Sequence, residues 1–180
     1  MTHRFAVIDV ETTGLNPAVD RVVEIACVAI DDDRIVDRWQ SFIDPKVPIP
    51  ARATAIHGIT DDDVAGAPTL PDALRQLHPL VRGRTLAAHN AGFDLRFLAA
   101  LRPTHAICTM RLARHLVPQA PNFKNQTLRA YLDVDRFVDG AIAHRALGDA
   151  LVTAHVLLAL RRRTLHAATW RDALEAARVA

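Results

Sequence analysis

Five side chains have the types and spacings of a reaction centre. Asp9 and Glu11 stand two positions apart where the apolar run of "FAVIDVETTGL", residues 5 to 15, gives out. Alternate residues of a strand point to one face, so Val7, Asp9 and Glu11 share a face with both acids at its carboxyl end. Open α/β sheets bind ligands at that end, and two carboxylates so placed repel each other unless a cation or a shared proton relieves them. A lone Asp-x-Glu is equally the solvated end of a strand, so the pair takes its meaning from what accompanies it. "AAHNAGFDLRFL", residues 87 to 98, is a short strand that breaks at Asn90 and Gly92 and resumes as a helix with Asp94 near its start. "HRALGDALVTAHVL" supplies His144 and, five residues on, Asp149. Singly, Asp94 reads as a cap or dipole partner and Asp149 as a solvated helical acid. Together the three segments offer four carboxylates and one histidine at the ends of predicted elements.

The elements that must position these groups follow an alternating order. Phe5–Val10, Val22–Ile30 and Arg34–Ile43 read as strands, the last two joined by the acidic turn Asp31–Asp33 in an antiparallel meander. "DPKVPIPARATAIHGIT", residues 44 to 60, has three prolines and no usable periodicity, which predicts a surface-crossing loop. Pro71–Leu80 predicts a helix, Thr85–Ala88 a short strand, Phe93–Leu101 a second helix and His105–Cys108 a brief strand, with helical chain beyond. Leu147, Leu151, Ala154, Leu158 and Arg161 recur at helical spacing and predict a packed helix over Leu147–Leu160. Strands first and helices later, with one strand between helices, predict an α/β fold with a mixed central sheet flanked by helices. Glu24, inside the second strand, reads as a structural or edge-strand acid, and Asp61–Asp63 after Thr60 as the capped start of a short helix.

The whole chain fits that reading. Its 180 residues suit one domain, 1–180, with a substantial core. Half the residues are hydrophobic and 23% charged, which excludes a disordered chain. The net charge of +2 permits a nucleic-acid partner without arguing for one. Cys27 and Cys108 sit in apolar strands as small hydrophobes and imply neither a disulfide framework nor a cysteine zinc site. Asp9 and Glu11 interrupt any N-terminal signal-like run, and no apolar stretch is long enough to span a membrane, so an intracellular, cytoplasmic protein without a membrane partner is expected.

These segments resemble the DEDDh, or DnaQ-like, 3′ to 5′ exonucleases, a branch of the ribonuclease H-like fold, over about Phe5 to Leu160. "DVETTGL" matches the first motif of that family, "HNAGFDLRFL" the second and "HRALGD" the third, His-x-Ala-x-x-Asp, while "AIHGIT" is similar to its Ile-His-Gly-Ile segment. The resemblance implies that Asp9, Glu11, Asp94 and Asp149 bind two divalent cations, Mg²⁺ or Mn²⁺, and that His144 is the general base. Hard cations of this kind prefer oxygen ligands, and a histidine with an ordinary pKa of ~6.5 accepts a proton near neutrality. It further implies that Thr12, Thr13, Leu15, Ile56, His57 and Phe93 hold the terminal nucleotide.

The implied activity is hydrolysis of phosphodiester bonds from the 3′ end of nucleic acid, releasing nucleoside 5′-monophosphates, with single-stranded DNA favoured and RNA possible. RNA 3′-end trimming is the alternative, and a non-catalytic binding module a third reading, against which the intact five-residue set argues. Proofreading subunits that resemble this domain commonly carry a polymerase-binding tail, and only about 30 residues follow Asp149. Free-standing action, or recruitment of a polymerase or repair partner through the domain surface, is therefore expected.

Overall fold

The computed structural model describes residues 3–101, 103, 106–138, 143–164 and 167–179. Three long strands open the chain: β1 (Arg4–Thr12), β2 (Val22–Asp31) and β3 (Arg34–Phe42). They pair as the antiparallel meander that the acidic turn predicted. Then come α1 (Ala51–His57), α2 (Asp61–Val64), α3 (Leu70–Val81), β4 (Thr85–Ala88) and α4 (Gly92–Phe97). β5 (Ala106–Cys108) precedes α5 (Thr109–Leu116), α6 (Asn125–Tyr131), α7 (Ala146–Arg162), α8 (Ala167–Ala176) and a two-residue β6 (Arg178–Val179). His105, expected to begin the fifth strand, lies outside the described residues.

The sheet has the order β3-β2-β1-β4-β5-β6, with β1, β4 and β5 parallel and the other pairs antiparallel. This is the mixed sheet flanked by helices expected of the ribonuclease H-like fold. β1 lies inside it, between an antiparallel and a parallel neighbour. Its side chains alternate between two cores: Phe5 and Val7 join β2, α5, α7 and α8 on one face, and Ala6, Ile8 and Val10 join α3 and α4 on the other. Burial on both faces explains why β1 and β2 read as almost unbroken apolar runs. Fully burying each of Ile8, Ile25 and Ile30 stabilises the fold by roughly 1.5–3 kcal/mol, which fixes the strand register and hence the face on which Asp9 and Glu11 emerge.

Four details differ from the sequence expectation. The proline-rich segment carries α1: Pro50 precedes it, and Gly58, at φ 74°, closes it in the left-handed conformation that lacks a Cβ penalty. Asp61–Asp63 do form the capped turn, Thr60 N–H and Oγ1–H both donating to Asp63 Oδ2 at 2.8 and 2.7 Å. α7 is buried on nearly all sides rather than along one stripe, because the sheet covers one face and α5 and α6 another; Leu147 and Leu151 are only partly buried while Ala146, Ala150, Val152 and Val156 are fully so. β6 is a strand where only helix was expected. Glu24 is not at an edge, since β2 lies between β1 and β3. Among the described residues, no helix is long and apolar enough to cross a membrane.

Candidate active site

The alternation of β1 puts Asp9 and Glu11 on the α7 face, beyond the last apolar side chain of that row. The β1–β2 register shifts between Glu11 and Thr12, an irregularity at the strand end where such shifts re-aim side chains. α7 then presents Asp149 from its first turn. Carboxylate oxygens of Asp9, Glu11 and Asp149 lie within 4.8 Å of one another. Gln126 of α6 donates from Nε2 to Asp149 Oδ1 at 3.1 Å, and the His144 main-chain N–H donates to Oδ2 at 2.8 Å, so both oxygens of Asp149 are held.

Crowding shows in the acidities. Burial, then the charges of Asp94, Asp149, Glu11 and Glu24, push Asp9 well above the carboxylate range. Burial and the charges of Asp149 and Glu24 push Glu11 up to about 8, with Arg145 opposing. Only a proton or a cation relieves such a cluster. The donor set is three carboxylates without a soft ligand, which fits hard divalent ions such as Mg²⁺ or Mn²⁺.

Two of the five expected groups stand outside this compact set. Asp94, only 3% exposed on α4, comes over the strand ends from the opposite layer. Its charge is, after burial, the largest influence raising Asp9. Burial lifts Asp94 itself to about 8, opposed by main-chain hydrogen bonds. His144 is exposed two residues before α7, at φ 59°, and binds Asp149 through its main chain; its ring nitrogens are not among the grouped donor atoms.

Beside the carboxylates opens a cleft of about 630 Å³ that brings together all six residues expected at the terminal nucleotide, Thr12, Thr13, Leu15, Ile56, His57 and Phe93, with Glu11 in its wall. Thr12 Oγ1 donates to Gly14 O at 2.6 Å. The Thr13 hydroxyl is committed within the loop, accepting from Arg21 N at 2.9 Å and donating to Asp20 at 3.3 Å. That loop closes tightly: a Cβ at Gly14 would lie 2.5 Å from Asp20 Oδ1. His57 is buried, its Nδ1 accepting from Ile59 N at 3.0 Å, and burial holds its pKa below the ordinary value.

The same cleft has an apolar rim. Leu15, Val19 and Ile56 are 78%, 66% and 62% exposed, a forfeited burial that marks a contact surface. Val19 and Arg52 line it too and were missed in the sequence; Arg52 was hidden inside the segment read as a loop. Gln126 carried no sequence signal at all, being brought to Asp149 only by the packing of α6 on α7.

Fold and site together define a nuclease of the ribonuclease H-like class. The sequence matches the exonuclease family model named for RNase T over residues 6–157. The chain belongs to that exonuclease family. It is 37% identical over 169 residues to a DNA polymerase III PolC-type of Oceanobacillus iheyensis, covering 88% of this chain and 11% of that one. With the PolC-type polymerase of Halalkalibacterium halodurans it shares 35% over 184 residues, covering 97% and 12%. The chain thus spans about a tenth of the length of these relatives. Among solved structures it is similar to exonuclease X in complex with 5′-overhanging duplex DNA, with TM-score 0.78 and 33% identity over 94% of this chain and 99% of that one. The nuclease domain of 3′hExo, a DEDDh family member bound to rAMP, shares the fold at TM-score 0.73 and 20% identity, covering 88% and 92%. The family uses divalent metal ions.

Proposed function

We propose that residues 1–180 form one exonuclease domain that removes nucleoside 5′-monophosphates from the 3′ end of single-stranded DNA. The observation that carries this reading is the junction of the carboxylate cluster with the apolar-rimmed cleft, Glu11 belonging to both. The preference for DNA is supported by the PolC-type DNA polymerases among the relatives and by the DNA-bound exonuclease X. The polymerase relatives also support a replication or repair partner.

Asp9, Glu11 and Asp149 would hold two Mg²⁺ or Mn²⁺ ions, with Asp94 assisting from α4. When bound, such ions offset charge developing on the attacking and leaving oxygens of an in-line displacement. Leu15, Ile56 and Phe93 stack against the last base without reading its identity, and the main chain near Thr12 receives the 3′-hydroxyl. His144 accepts a proton from the attacking water on a ring nitrogen. Its exposed position just before α7 leaves the ring free to reach the cleft, while its main-chain N–H steadies Asp149.

End-labelled single-stranded DNA, duplex DNA and RNA of equal length, digested with Mg²⁺ or Mn²⁺, test the reading. Single-stranded DNA should shorten fastest, stepwise from its 3′ end. Faster digestion of RNA would overturn the substrate assignment, and cleavage of closed circular strands at the linear rate would overturn exonucleolysis.

A further inference from the structure

Glu24 is 2% exposed, yet it is not an isolated buried charge. Arg145 donates to it from Nε at 3.1 Å and from Nη2 at 2.7 Å, one bond to each carboxylate oxygen. The Ala146 main-chain N–H adds a third donor to Oε2 at 2.9 Å. The Arg145 guanidinium also lies over the Phe42 ring, 5.3 Å from its centroid. One carboxylate on β2 and one ring on β3 thus grip the two residues that follow His144. On the other side of this grip, His144 itself is tied by its main chain to Asp149.

The chemistry favours a positioning device over a stabilising one. A buried ion pair is often no more stabilising than apolar side chains of similar volume, but a fork-to-fork pair fixes orientation as well as distance. His144 has the left-handed φ of 59°, a conformation that persists in a non-glycine residue only when its surroundings over-determine it. Bonds at 144, 145 and 146 do so. Glu24 also faces Glu11 directly across the β1–β2 register.

We infer that Glu24 and Arg145 are positioning residues for catalysis: their bidentate pair, packed on Phe42, sets the backbone from which His144 reaches the substrate. This rests on the reading of His144 as the base, and the test separates the two. kcat, KM, melting temperature and calorimetric Mn²⁺ affinity are measured for Arg145→Met, Arg145→Lys and Glu24→Gln, each alone and combined with His144→Ala. Arg145→Met should lower kcat by about 10²-fold, the cost of a small displacement of a reacting group. KM and Mn²⁺ affinity should stay within about threefold, as for an interaction made only in the transition state. Arg145→Lys keeps the charge and the fold but cannot span both oxygens, and should still lose kcat.

In the His144→Ala background the same substitutions should change kcat by less than about twofold, because the group they position is gone. Equal losses in both backgrounds would overturn the inference while leaving the base assignment intact. So would undiminished kcat in folded Arg145→Lys and Glu24→Gln, or a fall in Mn²⁺ affinity that accounts for the lost rate. Near-normal kcat in His144→Ala itself would overturn the base assignment, and the positioning role with it.

Discussion

Replacing Glu11 with Gln should stabilise the metal-free protein, and by an amount that grows with pH. In the folded chain the Glu11 carboxyl is pushed from its ordinary 4.5 up to about 8, by burial first and by Asp149 and Glu24 next. Between those values the folded state keeps a proton that the unfolded state has released. Stability therefore falls as pH rises through that window and levels off above it. At ~1.4 kcal/mol for each tenfold change in acidity, Glu11 costs the wild type roughly 4 kcal/mol at pH 8 and under about 1 kcal/mol at pH 5. Gln keeps the shape and never ionises, so the gap between the two proteins should open over this range. His89, pushed down to about 4 by burial, works the other way, since its contribution to stability rises with pH until 6.5. It is present in both proteins and cancels in the difference. Urea denaturation of wild type and Glu11→Gln with a chelator, at steps from pH 5 to pH 8, measures the gap directly. A gap that stays constant with pH, or a wild type more stable than the variant at pH 8, would refute the electrostatic account of the cluster.

Other outcomes follow from the same geometry. His144→Ala should lower kcat by ~10²–10⁴, the usual contribution of a general base, with Mn²⁺ binding retained by calorimetry. A 3′-phosphate on the substrate should slow digestion by crowding and charging the end of the cleft, whereas a 5′-phosphate should leave initial rates unchanged. Leu15→Ala and Ile56→Ala should each raise KM about fivefold with kcat nearly constant, as expected for lost stacking on the terminal base. Cys27, buried and with its thiol pushed up to about 12, should resist thiol reagents in the native protein and react on denaturation.

The sequence displayed the site better than it displayed what holds the site together. The period of two in β1 and the break at Asn90–Gly92 are local signals, so Asp9, Glu11 and Asp94 could be placed before the fold was known. α1 was obscured because Pro45, Pro48 and Pro50 read as loop punctuation, although Pro50 before the helix and Gly58 after it are ordinary boundary signals. The burial of α7 on almost every side has no amphipathic stripe to betray it, so of its periodic leucines Leu158 is buried while Leu147 and Leu151 are only partly so. The Glu24–Arg145 pair joins residues 121 positions apart, and no local pattern in a single sequence points to it. β6 is two residues long and exists as a strand only through its pairing with β5.

The claim that this chain degrades nucleic acid from its 3′ end at Asp9, Glu11 and Asp149 is tested most directly with 5′-labelled single-stranded DNA. Wild type and Asp9→Asn are compared in Mn²⁺ and in chelator, with melting temperatures recorded alongside. Wild type with Mn²⁺ should give a ladder that shortens by single nucleotides from the 3′ end and should melt at a higher temperature than without it. The chelated wild type, and a folded Asp9→Asn under either condition, should leave the strand intact. A wild-type rate in Asp9→Asn, or a pattern of internal cuts from the first time point, would contradict the account.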